Sequence, residues 1–376
     1  MTRKEVFAVK RLRAALLLCV CLVLLCAAVR AADLPFSDAA DVQHPAEVAL
    51  LNDLGFVSGY SDGAFRPDNC VTRAEISKLI TLIRTGEAVS GVSAFSDTAS
   101  SWADPYIDYC AKSGIIAGYA DGTFHPADYV TGRELAKMLL VAVNYSGRTY
   151  TGAGWSAAVD ADAKSAGIYD NYSADPGRYA TRDGACLMIY NALQCPAVQT
   201  RTAGVTAYVL DDMMSPMTVL ESRFGVRQVT GVVDADAVCD LREPGGKLSG
   251  DYLHIDGYTR EFVVSHSVAQ DVSLIGRKVT AYAIFASDHN RMIGMPALRA
   301  AETYFTLPGT NGIDDLLSYA GLRLTPDTSY YENYNATTGS CLTNPPPGAS
   351  VTVIDHEGDG KVDVVLVNTP AGAAVS

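Results

Sequence analysis

The sequence is short of positive charge: 29 lysines and arginines stand against 42 aspartates and glutamates, a formal charge of −13. Bulk electrostatics therefore exclude a nucleic-acid binder, and any anionic ligand has to be held by local cations. Histidine is also scarce. The six (44, 125, 254, 266, 289 and 356) form no H-E-x-x-H or other close metal pair, and there is no P-loop or dinucleotide fingerprint. Nine cysteines contain no C-x-x-C. Cys110 and Cys186 fall inside predicted helices and read as core residues, and no disulfide is assigned. After residue 28 no apolar run is long enough to cross a bilayer.

What is present begins with an address. Arg3, Lys4, Lys10, Arg11 and Arg13 precede an apolar run from Ala14 to Ala28, and Val29-Arg30-Ala31 offers a cleavage site. Residues 1–31 read as a secretory signal peptide. Its removal takes six basic side chains and one acidic one, moving the formal charge from −13 to −18.

The stretch GYSDGAFRP at 59–67 matches G-x-S-x-G, but Ser61 is not read as a nucleophile. Residues 36–80 and 95–139 align without a gap, and in the second copy Ser61 becomes Ala120 while the glycines, the aspartate and the proline stay. The shared feature is a turn, which needs glycine where φ is positive and proline to fix φ. A nucleophile elbow would instead need a strand before the serine.

Each copy predicts a short helix (about 45–54 and 105–113), a glycine stop at Gly55 or Gly114, the loop, and a second helix opened by a capping box, T-R-A-E at 72–75 or T-G-R-E at 131–134. Apolar stripes follow: Ile76, Leu79, Ile80 and Ile83, then Leu135, Met138, Leu139 and Ala142. A worn third copy has T-R-D-G at 181–184 and the stripe Ala185, Met188, Ile189 and Ala192. It lacks the glycine loop and is three residues shorter between its helices. A repeat of this size cannot bury its apolar face alone, so the three long helices are expected to pack around one axis. From about 202 onward, short β-branched or aromatic segments between turn residues predict an all-β region. A helical insertion falls near 216–224, and a rigid spacer, LTNPPPGAS, occupies 342–350.

F-S-D (36–38, 95–97), W-A (102–103), the loops at 55–67 and 114–126, and T-R-A-E resemble the S-layer homology module of bacterial cell-surface proteins. The resemblance covers about 34–195. It implies an N-terminal all-α three-repeat spindle (34–86, 93–145 and a degenerate 153–196). With the β-rich region over 202–376, read from its own segments as one barrel- or sandwich-like unit or two small ones (about 202–300 and 301–376), the expectation is an α + β multidomain chain. The family further implies a secreted protein of the cell wall or cell surface that binds secondary cell-wall polysaccharide, a peptidoglycan-linked glycan often carrying pyruvate ketals. Self-assembly or other surface proteins are the further partners, with no nucleic acid, no cofactor and no transmembrane helix in the mature chain.

The residues agree with that implication. A cation disfavoured by the helix dipole at Arg73 makes sense beside an anion, which free first-turn N–H groups would also hold. A carboxylate suits a guanidinium fork. Arg182 is the third-copy equivalent; the second copy has Gly132 there, with Arg133 about 100° around the helix. The ligand-binding set is thus Arg73, Arg182, Arg66, Arg133 and Trp102, with loop residues Gly59, Asp62, Gly63, Gly118, Asp121 and Gly122. Arg73 and Arg133 as plain surface residues, and Trp102, Tyr60 and Tyr119 as packing, are the competing readings. Asp38 and Asp97 read as local caps. Asp355, Glu357, Asp359 and Asp363 are spaced like the front of a calcium loop, but Leu366 occupies the twelfth position, and an acidic hairpin turn is preferred. The expectation is a non-enzymatic surface protein; the alternative is an anchored wall or glycan hydrolase with its acid pair in the β region.

Overall fold

The computed structural model describes residues 34–202, 205–298, 302–308, 317–318, 320–342, 345–346 and 348–369. The leader at 1–31 lies outside the described residues, as do Thr343, Asn344 and Pro347 of the spacer. Among the described residues no helix is long and apolar enough to cross a membrane.

Each repeat contributes a short helix and a long one: α1 (Pro45–Asp53) with α2 (Arg73–Thr85), α3 (Asp104–Lys112) with α4 (Gly132–Ala142), and α5 (Trp155–Ser165) with α6 (Arg182–Leu193). The predicted boundaries shift by a residue at most. Pro45 and Pro105 sit in the first turn of their helices, where no intrahelical N–H is lost. All twelve residues of the three apolar stripes are buried. Full burial of a leucine or isoleucine stabilises by roughly 1.5–3 kcal/mol, which is why these stripes fix the packing.

The repeats interlock in a cycle. The short helix of one repeat lies on the long helix of the repeat before it: α3 on α2, α5 on α4, and α1 on α6. Single β-bridges close the same ring at the helix N-termini, pairing Thr72 with Tyr129, Thr131 with Tyr179, and Thr181 with Cys70. The third copy therefore stands in register with the other two despite its shorter loop.

A hairpin of β1 (Val198–Thr202) and β2 (Val205–Tyr208) leads to α7 (Val219–Phe224), the expected helical insertion. Five strands then close a barrel in the order β3-β4-β5-β7-β6: β3 (Val226–Ala235), β4 (Tyr252–Ile255), β5 (Phe262–Val263), β6 (Lys278–Phe285) and β7 (Asn290–Leu298). The last strands do not form a second barrel or a sandwich. β8 (Thr303–Pro308), β9 (Ser329–Glu332), β10 (Asn335–Thr337), β11 (Ser350–Asp355) and β12 (Val364–Asn368) make an open sheet of order β10-β9-β12-β11-β8. One face of it supplies Ile354, Val364 and Leu366 to the barrel's core.

Helices and barrel share a core as well, since Val226 and Ile293 join the helical cluster. α1 lies on β7. Gly294 has a φ of +70°, and a Cβ there would stand 3.1 Å from the Leu50 backbone. Its N–H donates to Asp53 Oδ2 at 2.8 Å, and Tyr190 Oη meets Tyr282 Oη at 2.7 Å. Gly294→Ala should lower stability by about 1–3 kcal/mol in a urea titration of the full-length chain, because the new methyl group meets backbone and the φ is left-handed. An unchanged midpoint would mean that the barrel and the helices do not pack this way in solution.

Candidate ligand-binding clefts

The long helices open as the sequence predicts. Thr72 Oγ1 accepts from the Glu75 N–H at 3.2 Å while Glu75 Oε2 accepts from the Thr72 N–H at 2.8 Å. Thr131 and Glu134 repeat both bonds at 3.2 and 2.9 Å. Thr181 caps Gly184 N at 3.1 Å with no glutamate to reciprocate.

The glycine loops are turns. Gly63 N donates to Tyr60 O and Gly122 N to Tyr119 O, with φ near +82° and +83° at the two glycines. Asp62 accepts from Ala64 N, and Asp121 from Thr123 N. Ser61 lies exposed in this turn, between two helices rather than after a strand. Gly59 and Gly118 are glycine for a steric reason: a Cβ would come within 3.0 Å of the Phe36 ring and 2.1 Å of the Phe95 ring. Asp38 is not the local cap expected of it: it makes no side-chain bond to the short helical turn it precedes and instead clamps the distant loop, accepting from Phe65 N and Arg66 N at 2.7 Å each. Asp97 does the same for Phe124 N and His125 N at 2.8 and 2.7 Å.

The arginines lie across repeat boundaries. Arg182 donates from Nε to Phe65 O at 2.8 Å and from Nη2 to Ser58 O at 3.1 Å, with its guanidinium 4.7 and 4.8 Å from the Phe65 and Tyr60 rings. Arg73 repeats this on the next loop, donating to Phe124 O and Ala117 O at 2.9 Å and lying over Phe124 and Tyr119. One expectation is corrected here. The first-turn N–H groups are not free to hold an anion, because the neighbouring repeat's carbonyls take them. Arg73 N donates to Asp128 O and Ala74 N to Pro126 O, Gly132 N to Arg178 O and Arg133 N to Pro176 O, Arg182 N to Asn69 O and Asp183 N to Pro67 O. Binding falls to side chains.

Arg182 opens onto a cleft of about 210 Å³ shared with Tyr60, Glu75, Lys78 and Trp102. Arg182 also approaches Glu75 at 3.4 Å. Trp102 is 59% exposed. Lys78 carries no hydrogen bond or ion pair among the described residues, so its charge is available. Sequence reasoning passed over Lys78, whose signal was its place one turn beyond the capping glutamate. Arg66 stands nearby, paired with Asp62 at 2.6 Å and lying over Tyr60. Arg133 is not brought to an equivalent place: its Nε donates to both Asp160 carboxylate oxygens at 2.9 and 3.0 Å.

In the acidic stretch read as a hairpin turn rather than a calcium loop, Asp355 accepts from the N–H groups of Glu357, Gly358, Asp359 and Gly360. Asp363 accepts from His356 N, and Asp359 pairs with Lys361. These bonds make the turn between β11 and β12. All six cysteines among the described residues are free, with Cys110 and Cys186 in the core.

The sequence profile of the S-layer homology domain matches residues 35–76 and 94–136. The chain carries S-layer homology repeats. It is 32% identical over 117 residues to cell surface glycoprotein 1 of Acetivibrio thermocellus, which covers 28% of this chain and 5% of that protein. It is 28% identical over 152 residues to the middle cell wall protein of Brevibacillus brevis, covering 39% of this chain and 14% of the relative. A cellulosome-anchoring protein of Acetivibrio thermocellus is 36% identical over 86 residues, 22% of this chain and 19% of that protein. The chain thus spans no more than about a fifth of the length of these relatives. An S-layer homology protein of this kind belongs at the cell wall or cell surface.

Burial works against the charge of Asp38 and Asp97, yet the two N–H donors on each hold both carboxyls below the ordinary aspartate value of 3.8. Such groups stabilise the fold fully above that value, and the stabilisation is lost as pH falls through the lowered one. Asp97→Asn should therefore melt below the wild type at pH 7, with the gap narrowing under acid below pH 3.8. A gap that stays constant down to pH 2 in a circular-dichroism melt (roughly two units below the ordinary carboxylate range) would refute the clamp.

Proposed function

We propose that this protein is held non-covalently on the cell wall by its three S-layer homology copies, wrapped as a spindle, which grip a secondary wall polysaccharide carrying carboxylates such as pyruvate ketals. The observation that carries this reading is the Arg182 cleft. It holds a guanidinium fixed over aromatic rings, an unpaired lysine and an exposed tryptophan. A fork and a point charge suit a carboxylate, and a flat indole suits the apolar face of a pyranose. In a chain this acidic, local cations are what a polyanion could find. Relatives named for the cell wall and for anchoring are similar to part of this chain.

The β-rich half is proposed to be non-catalytic, contributing to a surface layer or contacting a partner outside. Prominent acids there are engaged within the fold: Asp234 with His254, Asp240 with Arg242, Glu302 with Arg277, and Asp355 with four amides. A zymogram on wall substrate should show no clearing by the full-length chain.

The protein should sediment with wall sacculi and cease to do so once the non-peptidoglycan polymer is stripped; retention on stripped sacculi would refute polymer recognition. Trp102→Ala should weaken retention by roughly three- to ten-fold, the scale of one aromatic contact. Arg133→Ala should change it far less than Arg73→Ala.

A further inference from the structure

The three helix mouths are equivalent in backbone but not in side chains. At the Arg182 mouth, α2 supplies Glu75 and Lys78, the repeat 1 loop supplies Tyr60, and Trp102 stands across the opening. The Arg73 mouth repeats the set. α4 carries Glu134 and Lys137 in the same register, and Tyr119 lies under the Arg73 guanidinium. Trp155, at the start of the following short helix, has Lys137 5.5 Å from its ring centre. The chain has two tryptophans, and each stands beside the lysine of one of these two mouths.

At the third mouth the arginine, glutamate, lysine and tryptophan of that set are replaced, while the tyrosine position is kept as Tyr172. The arginine position is Gly132, and a Cβ there would stand 2.8 Å from Tyr172 Oη and 3.2 Å from the Pro176 Cα. Tyr172 reaches across to Gly184 as well, where a Cβ would be 3.0 Å from its ring. Gly184 and Leu187 occupy the register positions of the glutamate and lysine, and Leu187 is buried. Tyr172 stacks on Tyr169, whose hydroxyl donates to the same Asp160 carboxylate that takes Arg133. The segment ahead of α1 offers no tryptophan; Gln43 N and His44 N donate to Asp183 instead.

We infer that the protein binds its glycan at two clefts, Arg182–Lys78–Trp102 and Arg73–Lys137–Trp155, and that Tyr172 plugs the third. This rests on the proposed recognition of a carboxylate-bearing glycan. It also makes the third copy indispensable, because Arg182, which the family profile does not reach, completes the cleft of the first. Two clefts on one rigid module multiply retention on a repeating polymer without new contacts.

Calorimetric titration of the full-length protein with a short pyruvylated oligosaccharide, too small to bridge two clefts, tests the count. Lys78→Glu and Lys137→Glu reverse a charge on a helix face without breaking a hydrogen bond or ion pair among the described residues, the second also removing the contact of Lys137 with Trp155. The expected stoichiometry is two for the wild type, one for either reversal and none for the pair. A stoichiometry of one or three overturns the inference, as does binding that survives the double reversal and disappears with Arg133→Glu. Absence of any binding by the wild type overturns the glycan reading itself, a result distinct from a wrong count.

Discussion

The first turn of each long helix is satisfied by the chain of another repeat. Two N–H groups per helix donate to carbonyls that lie just ahead of the neighbour's own long helix, and the three exchanges run head to tail until they close. Helix N-termini ordinarily leave such donors to water, side chains or ligands. Here they knit the repeats, and two of the three arginine or near-arginine positions add a guanidinium that reaches carbonyls and rings of the adjoining loop. Everything else about the module follows from that ring. In the first two copies the aspartate clamps hold the glycine turns that lead into the accepting carbonyls, and the third copy makes the same exchange without the glycine loop.

Much of this was legible in the residues. Capping boxes, apolar stripes, glycine stops and the gap-free register of two copies are local signals, and the fold honours each of them. The third copy was visible through its threonine cap and its stripe. The β-rich half was less legible. β7, with proline and glycine inside it, and the short β9 and β10 carry no alternation strong enough to read, and β9 pairs in parallel with the distant β12. Closure of β3–β7 depends on a parallel contact between β5 and β7 that no local pattern announces.

The site was legible by type and obscure by arrangement. Arg73 and Arg182 were singled out for sitting where a cation is electrostatically disfavoured, and the structure gives them aromatic rings to lie on. What the sequence hid is that each cleft draws on more than one repeat. Arg182 belongs to the third copy, Tyr60 and Lys78 to the first and Trp102 to the second. A residue-by-residue comparison of copies can therefore judge a copy worn while the cleft it completes is whole, and judge a copy sound while its cleft is filled by Tyr172.

Helix α1 belongs to two contacts at once, lying on α6 where the ring of repeats closes and on β7 of the barrel, with Leu50 against Gly294. There is accordingly no slack tether at this seam. A pull on the β-rich half would arrive at the helical half as shear along a packed helix, and the seam that carries this load is the one that joins the first repeat to the third.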